Sequence, residues 1–325
     1  MTGPTLFDVR VVALREEAPG VVSCELRAVS GELPPCPPGA HVDVHLPNGL
    51  VRQYSVVQAG TGSYRVGIKR EPASRGGSAF MAESLRIGST LRLGAPRDNF
   101  PLAPSTGRVV LIAGGIGITA LLPMARSLEA AGRDWTLHYA VRTVEDAAFK
   151  PAIRDLGDRL RIHASSAEGC RLSIPGIVQQ QPPGTHFYCC GPAPMLDAFS
   201  KATASLPREQ VHLERFGAEP TGGGQEFVVR LARSGATLPI AADQTIIDAL
   251  LAAGHDAPYS CQQGICGSCE VKVLEGRPDH RDDVLTAAEK ASNKTMMICC
   301  SRACSTFSLR HAAMHCAPAP RRRSA

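Results

Sequence analysis

Net charge is nearly missing from this 325-residue chain: 35 lysines and arginines stand against 30 acids, a formal +5. The excess is spread out. From Glu226 to Cys316 there are ten acids and nine bases, and the short run Arg321–Arg323 reads as a solvated end. No concentrated basic face exists for nucleic acid to use, so no nucleic-acid partner is expected. The N-terminal stretch lacks an apolar leader segment and carries Asp8, Arg10, Arg15, Glu16 and Glu17 instead. The expectation is a cytoplasmic protein whose twelve cysteines are reduced thiols or metal ligands, not disulfides. No apolar run of full membrane length occurs either. The seventeen uncharged residues Val109–Ala125 are interrupted by Gly114, Gly115, Gly117 and Pro123 and bracketed by Arg108 and Arg126. A buried strand, a glycine turn and a buried helix account for that run, with no membrane partner.

What the chain does have is a cysteine loop. Residues 261–269 read C-Q-Q-G-I-C-G-S-C, with Cys261, Cys266 and Cys269 at C-x4-C-x2-C spacing and Cys299 thirty residues beyond. Three thiolates on one loop and a fourth from a distant strand is the ligand spacing of a plant-type [2Fe–2S] site. Gly264 and Gly267 permit the backbone angles that turn N–H groups towards sulfur. A zinc site would need two tight pairs, and Cys299/Cys300 has no spacer. A strand is expected over Met296–Cys299, whose alternation points Cys299 and Cys300 to opposite faces, so that only one of them reaches the cluster.

Upstream, short β-branched runs alternate with Gly/Pro turns: Val9–Leu14, Val21–Leu26, His41–Leu46, Leu50–Val57, Tyr64–Lys69 and Thr90–Leu93. They predict an antiparallel β-barrel of Greek-key type, interrupted by a helix near Ser78–Leu85. Two motifs sit on it. Arg52-Gln53-Tyr54-Ser55 offers a guanidinium for phosphate, an aromatic ring and a hydroxyl, the set a flavin needs. Arg75-Gly76-Gly77-Ser78 opens the helix with bare backbone N–H groups suited to an anion.

After Pro104 the pattern changes to strands alternating with helices. Val109–Ala113, Thr136–Arg142, Arg159–Ala164 and Thr185–Cys189 read as strands, and Glu145–Leu156 and Pro192–Leu206 as helices. This predicts an α/β doubly wound parallel sheet that binds ligands at the carboxyl ends of its strands. Two turns fall at such ends: Gly114-Gly115-Ile116-Gly117-Ile118-Thr119, whose glycines admit a pyrophosphate, and Cys190-Gly191-Pro192. The segment Val211–Phe216 closes the domain, and Phe216 is either a flavin-side aromatic or a core residue. Residues 217–225, with Pro220 and three successive glycines, read as a flexible linker. A hairpin (Phe227–Ala232, Leu238–Ala241), a helix (Thr245–Ala253) and strands Glu270–Leu274 and Met296–Cys299 then frame the cysteine loop in a β-grasp arrangement.

These motifs, with P-G-A-H-V at Pro38–Val42, V-x-I-K at Val66–Lys69 and P-R-D-N-F-P-L at Pro96–Leu102, resemble the phthalate dioxygenase reductase family of the ferredoxin–NADP reductase superfamily. Vanillate O-demethylase reductases are resembled equally well. The resemblance implies FMN, with FAD the alternative, held by Arg52, Tyr54, Ser55, Lys69, Gly77 and Ser78. It implies NADH at Gly114, Gly115, Gly117 and Thr119, with Cys190, Gly191 and Pro192 beside the nicotinamide and Phe216 near the flavin. Ser55 and Cys190 are the residues it places at the hydride-transfer site. It implies that Cys261, Cys266, Cys269 and Cys299 hold the cluster, with Cys300 as the apolar neighbour of the fourth ligand. Ala120 departs from the proline common in relatives. Arg142, at the end of the second strand, suits a 2′-phosphate and leaves NADPH open.

The domain boundaries expected are 1–103 for the flavin barrel, 104–216 for the nucleotide domain, 217–225 for the linker, 226–316 for the ferredoxin domain and 317–325 for the tail. A nicotinamide gives two electrons at once, a [2Fe–2S] centre takes one, and a flavin connects the two. The resemblance therefore implies an NADH-dependent reductase serving a separate terminal Rieske oxygenase that hydroxylates aromatic rings or removes O-methyl groups. The chain lacks the Cys-x-His and Cys-x2-His pair of a Rieske centre, so it is not expected to oxygenate anything itself. Two other readings stay open: a diaphorase-like reductase serving another carrier or a haem protein, and a cluster-bearing sensor without turnover.

Overall fold

The computed structural model describes residues 5–47, 50–71, 76–105, 107–169, 171–216, 224–255, 257, 259, 264, 267–282, 284–303 and 307–310. The chain divides into two compact units, Met1–Phe216 and Gly217–Ala325.

Six strands build the first half of the first unit: β1 (Leu6–Ala18), β2 (Val21–Ala28), β3 (His41–His45), β4 (Val51–Gly60), β5 (Ser63–Lys69) and β6 (Thr90–Gly94). They close into a barrel in the order β1-β2-β5-β4-β3-β6, every pairing antiparallel. Closure leaves no open strand edge. Alternate residues of each strand point inward, so Val9, Val11, Leu26, Val42, Val44, Val66, Ile68 and Leu93 form one buried core. Between β5 and β6 a short α-helical turn, α1 (Gly77–Ala79), runs on into a π-helical turn at Phe80–Ser84.

The second half is a parallel sheet of β7 (Val109–Gly114), β8 (Trp135–Val141), β9 (Leu160–Ala164), β10 (His186–Cys190) and β11 (Val211–Glu214), in the order β11-β10-β7-β8-β9. The helices between them are α2 (Ile118–Ala130), α3 (Lys150–Arg154), α4 (Ser165–Glu168), α5 (Ile174–Gln179) and α6 (Ala193–Ala202). β7 is buried along its whole length, as a central parallel strand covered on both faces must be. The expected helix over Glu145–Leu156 is instead a 3-10 turn at Val144–Asp146 followed by α3. Phe149 breaks it: its backbone is left-handed, with φ of 59°, and Pro151 lies in the first turn of α3.

Barrel and nucleotide sheet share a core. Ala18, Val21 and Val57 of the barrel pack in one cluster with α2, β7 and β8. At this seam Gly67 of β5 leaves room for Thr119 and Phe149; a Cβ on Gly67 would sit 2.6 Å from the Thr119 methyl and 3.0 Å from the Phe149 ring.

The second unit holds β12 (Phe227–Leu231), β13 (Thr237–Ile240), β14 (Glu270–Glu275), β15 (Pro278–Asp279), β16 (Thr295–Met297), β17 (Arg302–Ala303) and β18 (Phe307–Arg310). Five form a mixed sheet in the order β13-β12-β18-β14-β16, and β15 pairs with β17. Helix α7 (Ile246–Ala252) packs Ile246, Ile247, Ala249 and Leu250 onto the sheet core and opens with a capping box between Thr245 and Asp248. A second capping box, Thr286 with Glu289, opens α8 (Ala287–Ser292). Arg302 is buried and donates to the carbonyls of Gln225, Ala241 and Gln244, tying the start of this unit to the turn before α7. No helix among the described residues is long and apolar enough to cross a membrane.

Candidate flavin, nucleotide and cysteine sites

The two barrel motifs, more than twenty residues apart in sequence, meet in space. Arg52 lies on β4, and its side chain runs over Gly77 at the start of α1. A Cβ on Gly77 would be 2.5 Å from Arg52 Nε and 2.6 Å from Cγ. Gly76, at φ of 90°, turns the chain into that helix in a conformation that favours glycine. The Arg52 side chain therefore packs directly over the first residue of α1. Arg52 Nη1 donates to the Val51 carbonyl at 2.8 Å, and the Ser78 hydroxyl accepts the Glu71 N–H at 3.2 Å. Arg75 lies outside the described residues. Lys69 is exposed at the end of β5, 3.7 Å from the Glu71 carboxylate.

Tyr54 packs partly buried on the barrel core, and desolvation pushes its phenol up to about 12, so it stays neutral. Ser55 is buried, and its hydroxyl has no hydrogen-bond partner among the described residues. A buried hydroxyl without a partner is costly, and a polar ring edge beside β4 would satisfy it. The Gly77 gap, the Arg52 cation and the Ser55 hydroxyl fit a flavin with its phosphate.

The nucleotide turns also meet. Along the chain the sheet grows from β7 outward through β8 and β9, then restarts on the other side of β7 with β10 and β11. β7 and β10 thus flank the point where strand order reverses, which is where open parallel sheets take their ligands. Gly114–Thr119 leaves the carboxyl end of β7 and Cys190–Pro192 that of β10. The two turns are packed against each other. A Cβ on Gly117 would collide with the Cys190 carbonyl, and one on Gly114 or Gly191 would lie 2.7 Å from Met195 Sδ. Gly115 differs: at φ of 52° it faces open space, with nothing within 4 Å of a Cβ. The Thr119 hydroxyl donates to the Ile116 carbonyl at 2.8 Å, closing the turn instead of presenting itself outward. Arg142, exposed just beyond β8, makes no ion pair among the described residues.

Sequence reasoning passed over Glu214. It ends β11 beside Cys190, its partner in register, and it is buried. Burial, with a smaller contribution from the charge of Asp98, raises its carboxyl to about 8. Its Oε1 lies 4.0 Å from His41 Nδ1 on the barrel strand β3, and its Oε2 has no hydrogen-bond partner among the described residues. His41 is in register with Ser55 across β3 and β4. The line Cys190, Glu214, His41, Ser55 thus crosses from nucleotide sheet to flavin strand. A lone acid at the carboxyl end of the V-H-L-E strand was the available signal. Phe216, two residues on, is about one-third exposed. Burial also pushes the Cys190 thiol well up, which keeps it neutral.

In the second unit Cys269 and Cys299 are both buried, while Cys261 and Cys266 lie outside the described residues. The two described cysteine segments are tied together by the Ile298 N–H donating to the Cys269 carbonyl at 3.3 Å. Gly264 and Gly267 have φ of 70° and 76°, and the Gly264 N–H donates to Cys299 Sγ at 3.2 Å. A backbone donor aimed at a buried sulfur fits a metal-bound thiolate. The alternation expected for Cys299 and Cys300 does not occur. The strand stops at Met297, and the N–H groups of Cys300 and Ser301 both turn back to the Met297 carbonyl. A turn has no two-residue period, so both thiols come to the Gly264 side: a Cβ on Gly264 would be 2.5 Å from Cys300 Sγ.

Residues 229–304 match the 2Fe-2S iron-sulfur cluster binding domain family. The chain is 47% identical over 299 residues to the phenoxybenzoate dioxygenase subunit beta of Ectopseudomonas oleovorans, covering 90% of this chain and 93% of that one. It is 42% identical over 312 residues to a vanillate O-demethylase oxidoreductase of a Pseudomonas species, covering 92% and 97%. Among solved structures, phthalate dioxygenase reductase, described as a modular structure for electron transfer from pyridine nucleotides to [2Fe-2S], superposes with a TM-score of 0.80 at 34% identity, over 94% of this chain and 98% of that one. With barrel, parallel sheet and cluster domain in the same order as that structure, the chain belongs to the family of phthalate dioxygenase reductase and vanillate O-demethylase oxidoreductase, flavin- and [2Fe–2S]-dependent reductase components of oxygenase systems.

Proposed function

We propose that this chain takes electrons from NADH through FMN and a [2Fe–2S] cluster to a separate Rieske-type oxygenase acting on an aromatic substrate. The observation that carries the reading is the approach of β11 to the barrel strand β3 at Glu214 and His41, 4.0 Å apart. Cys190 is in register with Glu214, and Ser55 with His41, which supports a single site. The bound flavin would accept a hydride and release electrons singly to the cluster.

The chain's own residues divide the work. Arg52 and the α1 N–H groups grip the flavin phosphate, and Tyr54 covers the ring. Ser55 donates to the ring edge. Gly115 lets the backbone approach the dinucleotide pyrophosphate at the start of α2. Cys190, neutral and small, shapes the wall against which the nicotinamide lies, and Gly191 and Pro192 turn the chain away from it. Cys261, Cys266, Cys269 and Cys299 hold the cluster. FMN is favoured over FAD because the motifs that accompany R-x-Y-S, notably G-G-S at Gly76–Ser78, are those of the FMN-using reductases.

The test is an anaerobic NADH titration of the purified protein, with flavin absorbance and electron paramagnetic resonance followed together. Loss of the flavin band, a rhombic signal and uptake of about three electrons per chain are expected, two for the flavin and one for the cluster. Flavin released by acid and identified by chromatography should be FMN. A chain that neither bleaches nor gives a cluster signal ends the reading. Reduction of dyes without reduction of any Rieske oxygenase would move it to the diaphorase class.

A further inference from the structure

Cys300 stands beside the cluster loop with its sulfur on the same side as Cys299, a placement the fourth-ligand assignment does not use. Both cysteines are nearly inaccessible, at 2% and 4% exposure. Both sulfurs touch one loop residue, Gly264: Cys299 Sγ accepts its N–H, and Cys300 Sγ occupies the space a side chain there would fill. Gly264 has a second neighbour on that side, the Asp282 backbone, 3.1 Å from the same Cβ position. Cys300 is therefore not displaced by a larger loop residue and is not screened from the loop. Its own contacts are weak, the Met297 carbonyl and the Ser301 hydroxyl each at 3.9 Å. It has no strong bond to give up before turning towards iron.

We infer that Cys299 and Cys300 form a two-thiol ligand pair, either sulfur of which completes the four-thiolate set. This rests on the [2Fe–2S] reading of the loop. Cys299 is the resting ligand, because the Gly264 N–H stabilises negative charge on its sulfur. Cys300 is the reserve. When Cys299 is replaced, the Cys300 thiol gives up its proton and its thiolate forms the iron–sulfur bond that Cys299 no longer makes. The number of thiolates, the charge of the site and the oxidation state of the irons are unchanged by the exchange. The turn Ile298–Cys300 makes this possible. In a continued strand the second sulfur would point away.

The experiment compares the full chain with Cys299→Ala, Cys300→Ala and the double variant, each reconstituted anaerobically with iron and sulfide. Iron and acid-labile sulfide per chain and the g-values of the reduced cluster are measured. The wild type and Cys300→Ala should carry the same iron and the same spectrum. Cys299→Ala should keep at least half of that iron with shifted g-values, and the double variant less than a tenth. A loaded wild type with Cys299→Ala as empty as the double variant overturns the inference. So does cluster loss in Cys300→Ala alone. An iron-free wild type would overturn instead the [2Fe–2S] reading beneath it. Should the alanine variant not fold, Cys299→Ser, close in size, replaces it. Its sulfur-to-iron absorption bands should stay near those of the wild type and shift to the blue only when Cys300→Ala is added. Identical spectra with and without Cys300 would refute the exchange.

Discussion

Glu214 on the nucleotide sheet and His41 on the flavin barrel face each other at 4.0 Å in a place where both are buried. The carboxyl is raised to about 8 from a usual value near 4.5, chiefly by burial. An acid raised in this way is neutral in the folded protein at pH 7 but ionised in the unfolded chain. Stability therefore falls as pH rises from about 4.5 to about 8 and is unaffected by this group below that window. Glu214→Gln should remove the loss. The variant should match the parent near pH 4 and exceed it by on the order of 4 kcal/mol at pH 8, read by denaturant unfolding at both values. The same change withdraws an exchangeable proton from between Cys190 and Ser55, so NADH-driven flavin reduction should slow about tenfold in stopped flow. A variant that is no more stable at pH 8 would show that His41 already compensates the carboxylate.

Gly77 tests the proposed phosphate grip without disturbing the barrel core. An added methyl would sit 2.5–2.9 Å from Arg52 Nε, Cγ and Cδ, and the flexible side chain is what must move. Gly77→Ala should leave the unfolding midpoint nearly unchanged while weakening flavin binding roughly tenfold to a hundredfold, the loss expected when a charge-assisted contact is misplaced. Titration of the flavin-free protein by fluorescence quenching checks this. Riboflavin, which has no phosphate, should bind parent and variant alike.

Much of this arrangement was legible in the sequence, and the gaps have specific causes. Period-two runs and glycine punctuation located all six barrel strands, and the loss of alternation at Val109–Ala113 marked the buried parallel strand. The contact of Arg52 with Gly77 could not be read, because it depends on how β4 and α1 come together, but the two motifs that make it were visible. The helix expected at Glu145–Leu156 failed at Phe149, since nothing local announces a left-handed phenylalanine; packing against Gly67 holds it there. Thr119 was expected to face the nucleotide, yet its hydroxyl caps the Ile116 carbonyl. For Cys299 and Cys300 the alternation rule was sound, but the strand to which it applied ends two residues earlier. Glu214 was missed because a single acid carries no pattern, and only the approach of His41 from the barrel gives it meaning.

The two kinds of glycine in the β7 turn should separate on substitution. At Gly117 a methyl would run into the Cys190 carbonyl, which is backbone held on both sides and cannot yield. Gly117→Ala should cost the first unit about 3 kcal/mol or more, with loss of soluble protein. At Gly115 nothing is in the way, and only the left-handed conformation opposes a side chain, at about 1 kcal/mol. Gly115→Ala should therefore fold, and its defect should appear as a raised KM for NADH with little change in kcat. If both variants fold and bind NADH normally, the turn is structural and the dinucleotide lies elsewhere.

Acid should weaken the first unit through a different pair. His138 on β8 and His163 on β9 are stacked, with Nδ1 and Nε2 3.1 Å apart. Burial first, then the neighbouring His163, Arg161 and Arg108, lower His138 to about 4. Its folded value is depressed below the ordinary 6.5, so the neutral ring is the form the fold accepts. The contribution is fully present above pH 6.5 and is lost progressively as pH falls towards 4, where the unfolded chain binds the extra proton. Because the edge strand β9 leaves the pair within reach of solvent, the loss should be on the order of 1 kcal/mol, well below the full linkage value. His138→Gln keeps a polar group against His163 but cannot titrate. Its unfolding free energy should change less between pH 7 and pH 4.5 than the parent's, by that same 1 kcal/mol. Equal slopes in the two proteins would place the acid sensitivity in other groups.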